Sequence, residues 1–200
     1  MPTEVFVQLT INLQESNSRG QLLLRSFFGW VYIFIPHLVV FLFVSIWYGI
    51  LDFIKFWVVL FTGRIPESTY EFQKKFWQWQ IRLTATMFNM RDGYPAIGTG
   101  GSNENATIEF ENPESVKRGL VLVRAHFGSI YVGIPHGFLL GFFGIAANFV
   151  QFLAWWAILF TGKFPESMFD FIMRYLRWTM RVSLYLSYYT DDYPPFNGAE

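Results

Sequence analysis

Two stretches of this chain, residues 27–62 and 126–162, are apolar almost throughout, and the charged positions crowd into the segments between them. A membrane span needs roughly 20 apolar residues, and each stretch exceeds that. A tract of this length built as one helix would run about 54 Å, well beyond a hydrocarbon core of about 30 Å. The pattern therefore predicts a transmembrane hairpin in each tract, turning near residues 47–52 and 146–151. The alternative is one span per tract, continuing from an interfacial helix broken at Pro36 or Pro135.

The segment after each tract has a different rhythm. Glu71, Lys75, Gln78 and Arg82 fall at i, i+4, i+7 and i+11, and Asp170, Arg174, Arg177 and Arg181 repeat that spacing. One face of a helix collects residues so spaced, and aromatic and aliphatic side chains fill the remaining faces. Amphipathic helices over 67–90 and 166–189 follow, of the basic, Trp-rich kind that lies in a bilayer interface. Ahead of the first tract Val5, Val7, Leu9, Ile11 and Leu13 alternate with mostly polar neighbours, the period of a strand. Thr107-Ile108-Glu109-Phe110 is a shorter, weaker counterpart, and two readings stand: the pair forms a small extramembrane ribbon, or both run as extended tails.

These patterns repeat because the sequence does. Aligning position n with n+99 needs no gap from Glu15 to Pro95, and 29 of the 81 pairs are identical, enough to mark an internal duplication. The expected organisation is a first membrane repeat over 1–95, a Gly-, Ser- and Asn-rich aqueous linker over 96–106, and a second membrane repeat over 107–200. The fold class that results is an all-α integral membrane protein of two tandem repeats. Each is a transmembrane hairpin, about four spans in total, plus an interfacial amphipathic helix.

Composition sharpens this reading. Only 15% of the residues are charged against 52% hydrophobic, well under the roughly 25% charge of soluble domains. A net charge of zero offers no field for nucleic acid. The chain has no cysteine, which removes disulfides, thiol catalysis and thiolate metal sites. The acidic, polar start does not read as a cleavable signal peptide, so the first tract is expected to act as its own insertion signal. In the hairpin arrangement Arg19, Arg25, Arg64, Lys74, Lys75, Lys117, Arg118, Arg124, Lys163 and Arg174 share one side, with Lys55 the exception. The positive-inside rule then places the basic segments and both termini in the cytoplasm of a multi-pass protein.

One phrase occurs twice, LFTGRIPES at 60–68 and LFTGKFPES at 159–167. It reads as a joint between helices. Gly63 or Gly162 suits a left-handed cap, Pro66 or Pro165 opens the next helix, and Glu67 or Glu166 stands in its positive first turn.

Candidate chemistry is sparse. His37 and His136 each follow a proline inside an apolar tract, and an ionisable group at such a depth is a functional hypothesis by default. They could line a proton or substrate path, or hold a haem between the repeats. The structural reading is that they satisfy backbone groups freed by the proline or bond to a neighbouring helix. Arg25, Arg124, Lys75, Arg82, Arg174, Arg177 and Arg181 are candidates for anionic lipid headgroups, singly or in a pocket between amphipathic helix and spans. Asp52 and Lys55 read as an i, i+3 ion pair at the first hairpin turn, with uncharged counterparts Gln151 and Ala154. No zinc spacing, nucleotide loop or nucleophile elbow is present, so no catalytic residue, metal ligand or cofactor is expected.

The second repeat carries Ile134-Pro135-His136, Trp156 through Glu166, Phe169-Asp170-Phe171, Arg177-Trp178, Arg181-Val182 and 191–196, DDYPPF. With these motifs the chain resembles a bacterial membrane family known as domain of unknown function 4389. The first repeat departs from the pattern at Gln78 and Ala96. The resemblance implies a bacterial inner-membrane protein and brings no activity with it. The expected function is a non-enzymatic scaffold or accessory subunit of a larger membrane complex, touching lipid and self-associating. A transporter or channel component using His37 and His136 is the alternative, and a lipid-modifying enzyme the third.

Overall fold

The apolar tracts do not turn back on themselves. In the computed structural model, which describes residues 7–199, each tract and the basic residues before it form one helix. These are α1 (Arg19–Thr62) and α3 (Arg118–Thr161), each 44 residues long and apolar enough to cross a membrane. Each is followed by a shorter helix, α2 (Glu67–Met87) and α4 (Glu166–Leu186). Strands β1 (Gln8–Ile11) and β2 (Ala106–Glu109) complete the fold.

The expected hairpins, and with them the count of four spans, are thus corrected: residues 47–52 and 146–151 lie inside continuous helix. The reason is local. Gly49 is the only helix breaker in its segment and its counterpart is Asn148. A lone glycine costs about 1 kcal/mol in a helix, too little to force a turn.

Nor do the prolines break the helices. Residues Trp30–Phe34 and Ser129–Gly133 form a π-helical turn just ahead of Pro36 and Pro135. There the N–H of Ile35 reaches back five residues to Trp30 O, and that of Ile134 to Ser129 O. A proline ring crowds the carbonyl four residues back and offers it no N–H, and the widened turn relieves both problems.

Helix α1 is bowed. Straight, it would put about 54 Å between Arg19 and Lys55. Yet Lys55 Nζ touches Gln73 Oε1 at 2.8 Å, and Asn17 Nδ2 touches Asn89 O at 3.2 Å. Gln73 and Asn89 stand only about 24 Å apart along α2, and stretched side chains at both ends do not close the gap. Helix α2 therefore runs back beneath a curved α1, as expected of a long helix wrapped around a core.

The two repeats clasp each other with pseudo-twofold symmetry. Asn17 N–H donates to Gly162 O at 2.7 Å, and 99 residues on Val116 N–H donates to Gly63 O at 2.8 Å. The start of each long helix is thereby pinned to the end of the other. Between them β1 and β2 pair antiparallel, Gln8 with Glu109 through Ile11 with Ala106. Of the two readings of the lead-in segments, the ribbon is the one present, although Val5 lies outside the described residues. Leu9, Ile11, Ala106 and Ile108 face inward. They join Tyr70, Phe110, Ile172, Leu176 and Tyr189 in a core shared by both repeats.

The repeated joint is built as its sequence suggests. Gly63 and Gly162 adopt φ of 71° and 75°, and their N–H groups close on Val59 O and Ile158 O at 2.8 Å each. A side chain there would cost about 1–2 kcal/mol. Glu67 and Glu166 occupy the first turns that follow Pro66 and Pro165. The same glycine carbonyls that end each helix receive the other repeat's backbone, so the phrase is a clasp as well as a stop.

Candidate functional site

Both candidate histidines, His37 and His136, are buried, at 1% and 0% exposure. The Nε1–H of Trp79 donates to His37 Nδ1 at 2.8 Å, and His37 Nε2 lies 3.2 Å from Pro95 O. An indole nitrogen only donates, so Nδ1 must be the acceptor and Nε2 carries the proton. His37 is then a neutral imidazole with both nitrogens engaged inside the chain. Trp178 makes the same bond to His136 Nδ1 at 2.9 Å. Here the symmetry ends. Among the described residues His136 Nε2 has no hydrogen-bond partner, and Phe196 stacks on the ring with centroids 4.1 Å apart. The histidines thus bond to the helix beneath them rather than to the carbonyls of Tyr32 and Tyr131.

The basic candidates divide into two groups. Arg25 and Arg124 are buried and bonded within the chain. Arg25 donates to Arg91 O at 2.7 Å and pairs with Asp92 at 2.9 Å. Arg124 donates to Tyr185 O at 2.8 Å and Thr190 O at 2.7 Å, pairs with Asp191, and lies 4.7 Å from the Tyr185 ring centre. The second oxygen of each aspartate accepts the N–H at the start of a long helix, Ser18 at 2.6 Å and Lys117 at 2.9 Å. Each aspartate therefore anchors its Asp-x-Tyr-Pro segment to the positive end of α1 or α3. Arg82 is also buried and donates to Gly98 O at 2.9 Å.

Lys75 and Arg174 are exposed, and Arg177 and Arg181 are half-buried. Arg174 and Arg177 line a cavity of about 570 Å³ together with Asp170, Trp178, Phe143 of α3 and residues 196–199. Burial lowers the Arg181 guanidinium from its ordinary value, and the like charge of Arg177 adds to this. The structure thus brings Asp170, Arg174 and Arg177 together and leaves Arg25, Arg124 and Arg82 apart from them.

One cluster was read too simply from sequence. Asp52 and Lys55 do pair, at 2.8 Å, but within continuous helix, and Lys55 is fully buried. Gln73 accepts from Lys55 and donates to Asp52 at 3.3 Å. Tyr189, from the other repeat, donates to the same Gln73 oxygen and holds its ring 4.7 Å from Nζ. The counterparts of Asp52, Lys55, Gln73 and Tyr189 are Gln151, Ala154, Ile172 and Met90. The signal in the sequence was this asymmetry: Asp52, Lys55 and Gln73 of the first repeat and Tyr189 of the second all differ from their counterparts. Among the described residues, no group of three or more His, Cys, Asp or Glu is arranged to hold a metal ion.

Comparison with known families gives one result. The family model described as "Domain of unknown function (DUF4389)" matches residues 22–97 and again 125–197, one match per repeat. No curated protein and no solved structure matches the chain.

Proposed function

The chain belongs to this family of unknown function, and from that premise we propose that it is a non-enzymatic membrane scaffold or accessory subunit that holds anionic lipid. The observation that carries the reading is the outward face of the two long helices. Only 17% of the most apolar window of each is buried. Phe27, Phe43, Phe61, Phe127, Phe142 and Phe160 each stand between 58% and 72% exposed. A soluble chain seldom leaves apolar surface on that scale uncovered, and lipid is its natural cover.

The cavity between α3 and α4 supports the lipid part of the proposal. Arg174 and Arg177 offer guanidinium groups matched to phosphate, beside the apolar faces of Phe143 and Trp178. Basic residues at the helix ends, Arg64, Lys117 and Lys163, suit the cytoplasmic face of a bacterial inner membrane. Self-association or docking on a larger membrane complex completes the proposed role.

The test is native purification with mass spectrometry of the bound lipids and proteins. Phosphatidylglycerol or cardiolipin should co-purify with the intact chain, and the double substitution Arg174→Gln with Arg177→Gln should deplete it. Unchanged lipid content would sink the pocket. Recovery in the soluble fraction would sink the membrane reading.

Transport has one observation in its favour, the unpaired Nε2 of His136. Against it stands His37, whose two bonds hold it in one tautomer. Proton or solute flux in proteoliposomes that falls on His136→Ala but not on His37→Ala would favour that second reading.

A further inference from the structure

Resting on the membrane reading above, we infer that neither long helix crosses the bilayer. Helices α1 and α3 bow into one leaflet, with all four of their ends on the same aqueous side. The partner surface is thus a single lipid monolayer, met by one face of the protein.

Helix α2 runs back along α1, touching it at Lys55 through Gln73, at Phe41 through Phe76 (5.3 Å between rings) and at His37 through Trp79. The turn just past its end meets the segment just before α1, Asn89 against Asn17. A bilayer set across α1 would therefore enclose α2 as well. Helix α2 exposes Glu67, Glu71 and Lys75, and its twin α4 exposes Glu166, Asp170 and Arg174. Exposed charges along a helix do not belong in hydrocarbon. So α2 and α4 lie outside it, and because each spans the distance between the ends of its long helix, those ends lie outside it too.

The two repeats also share one polar layer. The Tyr70 hydroxyl of α2 donates to Phe110 O beside the ribbon at 2.6 Å, and Tyr189, just past α4, packs its ring 5.0 Å from that of Phe110. Both short helices are thus held to one small ribbon and cannot stand on opposite faces of a membrane. The clasps Asn17–Gly162 and Val116–Gly63 put the ends of α1 and α3 in the same layer.

The opposite face is uniform. Along α1 from Phe27 to Phe61, and along α3 from Phe127 to Phe160, no exposed position carries a charge. That face follows about 50 Å of helix, whereas a hydrocarbon core measures about 30 Å. A perpendicular placement would leave much of it in water, and a flat one leaves none. The polar exceptions fit. Asp52, half-buried, is held at the level of α2 by Gln73.

The chain has no cysteine, so single ones report without background. Ser16→Cys, Arg64→Cys, Lys117→Cys and Lys163→Cys alter exposed positions at the four helix ends. Phe43→Cys and Phe142→Cys mark the outward faces. Each full-length variant is expressed in bacteria and treated with a membrane-impermeant maleimide, on spheroplasts and on inverted vesicles. The expectation is that all four end positions label in inverted vesicles only and the two face positions in neither. Labelling of Ser16→Cys and Arg64→Cys from opposite sides would overturn the inference while leaving the membrane reading intact. Labelling of the face positions in carbonate-washed membranes would overturn it as well. Loss of all six variants and the parent chain from carbonate-washed membranes would overturn both.

Discussion

Trp79 donates its indole N–H to Nδ1 of His37 at 2.8 Å, and Trp178 repeats the bond to His136 at 2.9 Å. The pair ties each short helix to the long helix above it at the point where the π turn ends. Replacing His37 by Phe leaves the Trp79 N–H and Pro95 O both buried and unpaired. Each such group costs about 1–3 kcal/mol, so His37→Phe should destabilise by roughly 2–6 kcal/mol. His136→Phe strands only the Trp178 N–H and removes an already unpaired nitrogen, and should cost about half as much. Denaturant unfolding in detergent, followed by Trp fluorescence, checks the order. Equal losses would mean that the Pro95 contact contributes nothing.

The Lys55 cluster gives a second prediction, in which the protein supplies its own control. Lys55→Ala empties the buried space its stem fills and takes from Gln73 and Asp52 their shared donor, and truncating a large buried side chain typically costs about 2–5 kcal/mol. The other half of the molecule solves the same packing problem without charge. Transplanting its residues, as Asp52→Gln, Lys55→Ala, Gln73→Ile and Tyr189→Met together, should destabilise less than the single Lys55→Ala. An ion pair exchanged whole for apolar neighbours is often neutral in stability. Unfolding midpoints of the two variants decide it. A transplant worse than the single change would show that the cluster is itself a source of stability.

These two sites also mark how far the sequence could be read. The duplication, the ribbon, the joint at Gly63 and Gly162 and the short helices after it were all legible, because each depends on local periodicity or on the φ preference of one residue. The course of the long tracts was not. An all-apolar run has no polar face to report its direction, and the expected hairpin rested on tract length and on the placing of the flanking charges, neither of which fixes a turn. Partners across the repeats were invisible for another reason. Nothing near Asn17 names Gly162, and nothing near Lys55 names Tyr189. Arg25 and Arg124 read as lipid ligands because sequence shows a charge but not the aspartate that folds back onto it.

Those two arginines yield a third prediction. Arg124 reaches two carbonyls and Asp191 at once, a geometry that a guanidinium fork can satisfy and a lysine ammonium cannot. Arg124→Lys should therefore free residues 190–196 while the rest of the fold persists. Since Asp191 also accepts the Lys117 N–H, the start of α3 should loosen with it. Amide hydrogen exchange should show faster exchange at Lys117 and across 190–196, with Ser18 and 91–95 unchanged. Arg25→Lys should give the mirror result, smaller because Arg25 reaches one carbonyl fewer. Exchange that rises everywhere at once would mean the staples hold the whole fold rather than their own segments.

The tyrosines at the end of the second repeat make stability depend on alkaline pH. Burial pushes the Tyr189 hydroxyl well above its ordinary range, and the nearby Tyr48, Asp52 and Tyr70 push in the same direction. Tyr188 is raised too, by burial and then by Asp52, with Arg124 opposing. In both the fold favours the neutral phenol. An unfolded tyrosine ionises near pH 10. Below that pH both states are neutral and the stabilisation is complete. As the pH climbs past about 10 the unfolded chain gives up protons that the folded chain keeps, and stability falls. Unfolding midpoints between about pH 8 and 11 should thus be level at first and then decline, in step with tyrosinate absorbance near 295 nm. Tyr189→Phe lowers the plateau, since Gln73 loses a donor, but it should flatten the decline by removing one of the groups that drives it. An unchanged slope in that variant would place the alkaline sensitivity in the remaining tyrosines and not at the Lys55 cluster.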